Sequence, residues 1–313
     1  GCSNYTWRGD RMRYVVTLKS KDGTEKAYYT CLSFVFEKEI FTPYTSLTAI
    51  LCGTELPEDV VEIKFSLEGK DIHHGFVDSY RLTKRNGMFQ GVITSRGFTA
   101  LLTENQLPPG MYSNMTFNKL FDEYIAFPNV EHEDNSQSSY IYVKKGASIW
   151  DSVANLSYKI SGTYPYIYER NMVRMNTPPT PKEFKQNISM TISYGTEFNT
   201  RRMVSKFNMA DITGEYGTYS AESSIAAERN IIRQRHFELD ERFLNNPDLA
   251  CQFRMMMAER DYKQYFFNYS GYDCHDINDV LISDEFGKRR INAVRITGDK
   301  NGIRTKLVMY DSI

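Results

Sequence analysis

Residues 140–174 hold the clearest local instructions in the chain. Tyr140 to Val143 alternate like a short strand, and Lys144-Lys145-Gly146 turns the chain. Ser148 stands at a helix N-cap position and Asp151 follows three residues later, the spacing at which two side chains satisfy orphan amides reciprocally. Ile149, Val153, Leu156 and Ile160 recur at helical spacing as one apolar stripe. Gly162 suits the left-handed residue that closes such a helix. Tyr166 to Arg174 reads as a second strand. The result is a strand–helix–strand unit near mid-chain.

The segment before it is strand and turn. From Met12 to Ser95, Tyr14, Val16 and Leu18 alternate, and Tyr29 to Phe36 is aromatic and β-branched. Val61, Ile63, Phe65 and Leu67 alternate, the turn Glu68-Gly69-Lys70-Asp71 reverses the chain, and Ile72, His74, Phe76 and Asp78 alternate again. Arg85-Asn86-Gly87 is a strong hairpin signal. Short strands at this spacing predict a small antiparallel barrel or sandwich. Phe98 to Leu102 reads as a helical turn. Asn114 can cap a helix over Met115–Tyr124 with Phe117, Leu120, Phe121 and Tyr124 on one face. Residues 131–139 are acidic and polar and read as an exposed loop.

Asn176-Thr-Pro-Pro-Thr-Pro181 reads as a stiff boundary. Beyond it, Ile188–Tyr194, Arg202–Asn208 and Tyr216–Ser220 are strand candidates. Asn246 caps and Pro247 opens a helix with Leu249, Phe253, Met256 and Met257 inward. Asp279–Ser283 is a strand, and Arg290–Thr297 with Ile303–Tyr310 form a hairpin. The expected class is α+β and predominantly β, with two small antiparallel barrel-like domains joined by an α/β unit and helices. The divisions fall at 1–110, 111–183 and 184–313, with a helical insertion at 225–269. The two β-rich parts, 12–95 and 184–310, are expected to be separate, superposable barrels.

A chain of 313 residues has room for about two domains. Positive and negative side chains nearly cancel, with a net charge of -1, and they balance over 201–313 as well. That argues against a dedicated nucleic-acid surface. No apolar run approaches the roughly 20 residues a membrane-spanning helix needs. The 5 cysteines are odd in number and form no C-x-x-C pair, which argues against a disulfide framework or zinc site. Gly1-Cys2-Ser3 is compatible with a processed lipoprotein end and equally with a trimmed one.

No phosphate-binding, dinucleotide, zinc-protease or serine-hydrolase motif is present. No catalytic, cofactor-binding or metal-binding residue is assigned, no cofactor is expected, and the chain reads as a non-enzyme. His73 and His74 are neighbours in a strand and point to opposite faces, so they read as ordinary strand histidines. Glu222, Glu228 and Glu259 read as solvated acids. Met255-Met256-Met257 reads as core and rim of a helix. Arg229, Arg233 and Arg235 form a solvated face or an interface set for a neighbouring subunit's acids. Trp150, on the first turn of the central helix, reads as a structural anchor rather than a sugar platform.

Two resemblances follow. Val143-Lys144-Lys145-Gly146-Ala147-Ser148-Ile149-Trp150 resembles the opening of a LysM peptidoglycan-binding module, although Ala147 stands where that module usually has Asp. The whole chain resembles the late control D family of baseplate hub proteins from contractile phage tails and prophage-derived particles. The residues are Ile93-Thr-Ser-Arg-Gly-Phe98 closing the first barrel, Arg229-Asn-Ile-Ile-Arg-Gln-Arg235, the aromatic segment Asp248–Tyr269, Asn278-Asp-Val-Leu-Ile282 and Arg304-Thr-Lys-Leu-Val308. This resemblance implies a structural subunit that forms a homotrimer and adapts the sixfold tail tube to the central spike. Its partners would be the tail-tube and spike proteins, with DNA only as passing cargo in the channel. Its place would be the virion tail, assembled in the bacterial cytoplasm. The alternative is a peptidoglycan-binding module, with at least weak wall contact, or a tail-associated wall hydrolase.

Overall fold

The computed structural model describes residues 14–178, 180–185 and 188–311. Cys2 and Met12 lie outside them. The chain is α+β and predominantly β. Seven strands come first: β1 (Tyr14–Lys19), β2 (Glu25–Tyr28), β3 (Cys31–Glu39), β4 (Ser46–Gly53), β5 (Glu62–Leu67), β6 (Lys70–Arg85) and β7 (Met88–Gly97). They pair antiparallel in the order β3-β4-β7-β6-β5-β1-β2. Glu68-Gly69 and Asn86-Gly87 all have positive φ, the paired left-handed turn that matches strand twist. Alternate residues, among them Val16, Leu18, Leu47, Ile63, Phe65, Leu67 and Ile93, turn inward and are buried. The Tyr14 hydroxyl donates to the Cys31 carbonyl at 3.1 Å, so the sheet curls until β1 approaches β3.

One alternation breaks. The β5–β6 register shifts at Phe65/Ser66, and Ile72, His73 and His74 are all buried. A bulge explains this: the extra residue re-aims the strand and turns neighbouring side chains into separate parts of the interior.

The middle of the chain holds α1 (Leu101–Glu104), β8 (Gly110–Thr116), α2 (Phe117–Lys119), β9 (Glu131–His132), β10 (Ser138–Val143), α3 (Ile149–Ser161), β11 (Tyr166–Tyr168) and β12 (Met172–Arg174). The helix expected from Met115 starts instead at Phe117. Asn114 and Met115 belong to β8, which pairs with β10, and the Thr116 hydroxyl is the cap. Cross-strand pairing overrides the local helix pattern here. Phe117, Leu120 and Phe121 are still buried, whereas Tyr124 is exposed. The acidic loop is not wholly exposed: β9 pairs with β12, and Glu133 is buried against Arg174 at 3.2 Å.

The central helix is as its sequence dictates. The Ser148–Asp151 capping box is formed, Gly162 is left-handed, and Ile149, Val153 and Leu156 are buried. The flanking strands differ from expectation. Residues 166–174 form a hairpin of two three-residue strands, turned at Glu169 with φ 52°. β10 pairs with β8 and not with that hairpin, so the strands on either side of α3 lie in different sheets.

The remainder comprises β13 (Glu183–Lys185), β14 (Thr191–Phe198), β15 (Lys206–Ala210), β16 (Tyr216–Glu222), α4 (Ser224–Glu228), β17 (Gln234–Phe237), α5 (Asp248–Glu259), β18 (Lys263–Ser270), β19 (Val280–Ser283), β20 (Gly287–Arg290), β21 (Ala293–Asp299) and β22 (Gly302–Tyr310). The strand expected from Ile188 begins at Thr191, after a 3-10 turn. The insertion at 225–269 is only partly helical: it contains α4, β17 and α5, and from Lys263 it is already β18. α5 packs on the sheet β16-β15-β17 through Ala250, Cys251, Met255 and Ala258. Its cap is Pro247, not Asn246. Met256 and Met257 are half-buried flanks, because the sheet beneath, not the helix's own apolar count, selects the inner face.

Both β-rich parts are present, but they are not separate sheets. β14-β18-β22-β21 continues into β3 through an antiparallel ladder from Ala293↔Glu39 to Gly298↔Phe34. One eleven-stranded sheet therefore runs through both parts, and one apolar core lines it from Val16 to Tyr310.

Candidate functional site

No group of three or more His, Cys, Asp or Glu stands together as a metal site among the described residues. His73 contacts Thr45 Oγ1 at 2.8 Å and Ser95 Oγ at 2.9 Å, whereas His74 contacts Glu62 at 2.6 Å, so the two share no partner. Burial, aided by the neighbouring His74, holds His73 at about 3. Glu222 pairs with Lys206 at 2.7 Å on the surface, Glu259 accepts from the Ser223 hydroxyl, and Glu228 is exposed. These acids stand apart, without convergence on a cleft. Cys31, Cys251 and Cys274 are free thiols.

What the fold does build is a set of junctions that lock its parts together. The first is polar. Lys38 on β3 is buried, and its ammonium donates to Asp276 at 2.5 Å and to the Glu169 carbonyl at 2.6 Å. Asp276 accepts the Glu169 amide at 2.8 Å, and the Asp276 amide donates to Asp279 at 2.8 Å. Asp279 in turn accepts the Lys182 amide at 3.0 Å. One ion pair thus joins the first β part, the β11–β12 hairpin and the second β part. Charge in such a place is tolerated only when fully hydrogen-bonded.

The second junction is aromatic. Trp150 is 5% exposed and donates its indole N–H to the Tyr164 hydroxyl at 3.0 Å. The Tyr164 ring lies 5.3 Å from Phe41 and 6.3 Å from Phe253, and Phe41 stacks 6.0 Å from Tyr310. Trp150 is therefore the structural anchor that its position on α3 suggested, linking the central unit to the main sheet and to α5.

The third junction centres on Asp240, which is buried, accepts from Arg242 Nε and Nη2 at 2.9 and 2.6 Å and from Arg254 at 3.4 Å, and pairs with Lys144 at 3.8 Å. Burial opposes its charge, but the Arg242 hydrogen bonds and the nearby cations outweigh that and hold the carboxyl at about 2. Lys159 of α3 lies 3.5 Å from the Tyr140 ring and donates to the Tyr140 carbonyl at 2.9 Å. Burial, followed by repulsion from Arg242, brings its pKa down to about 7. Lys38, Asp276, Asp240 and Lys159 had no motif to reveal them, because each acquires its role only from residues distant in the chain.

Three surface features complete the description. β14 is one free edge of the large sheet and presents exposed Ile192, Tyr194 and Phe198. The arginine segment is divided in its contacts: Arg229 covers the Phe198 and Tyr262 rings, Arg233 donates to the Thr200 and Arg201 carbonyls, and Arg235 is exposed on β17. No helix of the described residues is long and apolar enough to cross a membrane.

With this geometry established, the fold can be compared with solved structures. A prophage MuSo2 43 kDa tail protein from Shewanella oneidensis superposes with a TM-score of 0.73 at 12% identity, over 96% of both chains. The fold is that of phage tail proteins. A tail protein from Neisseria meningitidis MC58 gives a TM-score of 0.70 at 13% identity, over 96% of this chain and 97% of that one. An E. coli type VI secretion component, itself described as similar to bacteriophage T4 tail proteins, gives 0.57 at 8% identity, over 89% and 73%. A scan against family models and a search of curated proteins find no match. The likeness of fold to tail proteins therefore spans nearly the whole chain although identity is only 12–13%.

Proposed function

We propose that this chain is a structural subunit of a contractile-tail baseplate hub, of the late control D type, in a phage tail or prophage-derived particle. The observation that carries the reading is the tail-protein fold over nearly the full length of this chain and of its tail-protein neighbours. In this reading three copies form a ring, the tail tube docks on one face and the central spike on the other, and DNA passes through without specific contact. The particle tail, assembled in the bacterial cytoplasm, is where it acts. The divisions at 110 and 183 then mark off two β-rich parts of one continuous sheet and the central insert between them. No catalytic step is assigned to it.

Two features support ring formation. The large sheet has free edges at β14 and β2, and a free edge carrying exposed apolar side chains is a template for another chain. The buried junctions fix the two β parts relative to each other, which a symmetry adaptor requires. The peptidoglycan reading loses its main support, because the indole of Trp150 is buried and cannot stack on a sugar.

Light scattering of the purified chain, alone and mixed with purified tube and spike proteins, tests the proposal. A trimer, formed alone or on mixing, is expected, and Ile192→Lys should reduce association without lowering Tm. A chain that stays monomeric and binds neither partner overturns the reading.

A further inference from the structure

A cleft of about 340 Å³ opens where the β10–α3 turn meets α5. Lys144, Lys145, Arg242 and Arg254 line it from two separate parts of the chain, together with Asp151 and the Gly146-Ala147 backbone. Only two acids offset these four cations, and both are already engaged. Asp240 is buried, accepts from Arg242 and Arg254, and forms an ion pair with Lys144 at 3.8 Å. Asp151 accepts from the Ser148 amide and hydroxyl at 2.9 and 2.7 Å, within its capping box. Four positive charges against two negative leave the cleft at +2 in a chain whose net charge is -1.

The donors are also incompletely used. Nε of Arg254 is buried without a hydrogen-bond partner, and Lys145 is exposed with no partner among the described residues. The first turn of α3, with its positive dipole end, faces the same space through Ser152. Burial pulls the Arg254 pKa down, and the adjacent Arg242 charge adds to that, against the attraction of Asp240. Guanidinium groups already held by Asp240, beside an exposed ammonium with no partner among the described residues, leave a concave site with excess positive charge, which fits oxyanions.

We propose that this cleft is an anion-binding site for a ligand carrying about two negative charges on carboxylate or phosphate oxygens. Lys144 and Lys145 supply mobile ammonium donors from one wall, and Arg242 and Arg254 supply fixed guanidinium donors from the other. The two sources of such chemistry are an acidic segment of a protein partner and a small free anion. The site does not depend on the hub reading.

Calorimetric titration of the full chain with sodium phosphate, and separately with an acetylated Gly-Glu-Glu-Gly amide, tests it. Binding of at least one probe is expected. Lys145→Glu should weaken it by about tenfold or more, since reversing one charge beside the ligand is expected to change the binding energy by at least the about 1.4 kcal/mol that tenfold represents. Lys145→Gln should give a smaller loss. Lys300→Glu, the same reversal on an exposed turn elsewhere, should leave affinity unchanged. Tm without anion is compared first, so that a folding defect is seen separately, and Lys145→Gln carries the test should Lys145→Glu fail to fold. Tighter binding of the peptide identifies a protein segment as the source, and tighter binding of phosphate identifies a small anion. Binding of neither probe, or equal weakening by Lys300→Glu, overturns the site.

Discussion

The Phe34 ring covers Gly298 across the β3–β21 ladder that joins the two β parts. The two residues are register partners on β3 and β21, and a Cβ built on Gly298 would stand 2.1 Å from Phe34 Cε1. Phe34 is buried and its ring centroid lies 4.7 Å from that of Phe65, so it belongs at once to the seam and to the first core. The glycine is required by close approach, not by turn geometry. Gly298→Val should expel the ring or push β21 from β3, at about 1–3 kcal/mol. Denaturant unfolding measures this. A Phe34→Ala background should absorb most of the Gly298→Val cost, and simple additivity of the two changes would refute the contact as its cause.

Acid should destabilise the fold through two buried histidines. Burial holds His73 and His275 at about 3, against 6.5 for an exposed ring. Between those values the unfolded chain binds a proton at each that the folded chain does not. Stability therefore falls as pH drops below about 6.5, by up to about 1.4 kcal/mol per pH unit per histidine. Urea midpoints at pH 7.0, 6.0 and 5.0 give the slope. His275→Phe should reduce it, since His275 lies against the Phe184 ring and its Nδ1 has no partner. An unchanged slope in that variant would remove His275 from the account.

Local pattern was sufficient where structure is local. The Ser148–Asp151 box, Gly162 and the Asn86-Gly87 hairpin each depend on a few adjacent residues, and each is present. The signals failed where a distant partner decides. Met115 scans as helix but pairs as strand, because β10 lies beside it. Tyr166–Arg174 scans as one strand, yet Glu169 takes a left-handed turn whose amide and carbonyl are held by Asp276 and Lys38. Continuity of the large sheet was invisible for the same reason, since Ala293–Asp299 gives no sign that its partner is Phe34–Glu39. The anion cleft needs Lys144 and Arg254, which are far apart in the chain, and no spacing rule joins them.

Lys159 makes a prediction at the opposite end of the pH scale. Burial and then Arg242 lower it to about 7 from an ordinary 10.5. Between those values the unfolded chain carries a proton there that the folded chain lacks, so this residue makes stability rise as pH increases from 7 toward 10. Asp240 attracts the charged form and limits the shift. Lys159→Met keeps the stem against Tyr140 and Phe243 but removes the titration. The variant should show a flatter stability profile over this range. A rise as steep as that of the original chain would place the titrating group elsewhere.

Trp150 is the most informative single position in the central unit. Its indole fills the core formed by Ile149, Val153, Leu156 and Ile167 and reaches Tyr164 through the 3.0 Å hydrogen bond. Trp150→Ala should cost about 3–5 kcal/mol through lost burial and the cavity left behind. Trp150→Phe retains most of the apolar contact and removes the N–H donor, and should cost more nearly 1 kcal/mol plus the difference in volume. The loss propagates outward because Tyr164 loses its partner while holding Phe41 and Phe253. Trp150→Ala should therefore weaken docking of the central unit on the main sheet and, on the proposed hub reading, assembly with tube and spike proteins. Thermal denaturation, protease sensitivity near the β11–β12 hairpin and a cell-wall pull-down separate the alternatives. An unchanged Tm with loss of wall binding would mean that the indole serves a ligand, and would defeat its assignment as an anchor.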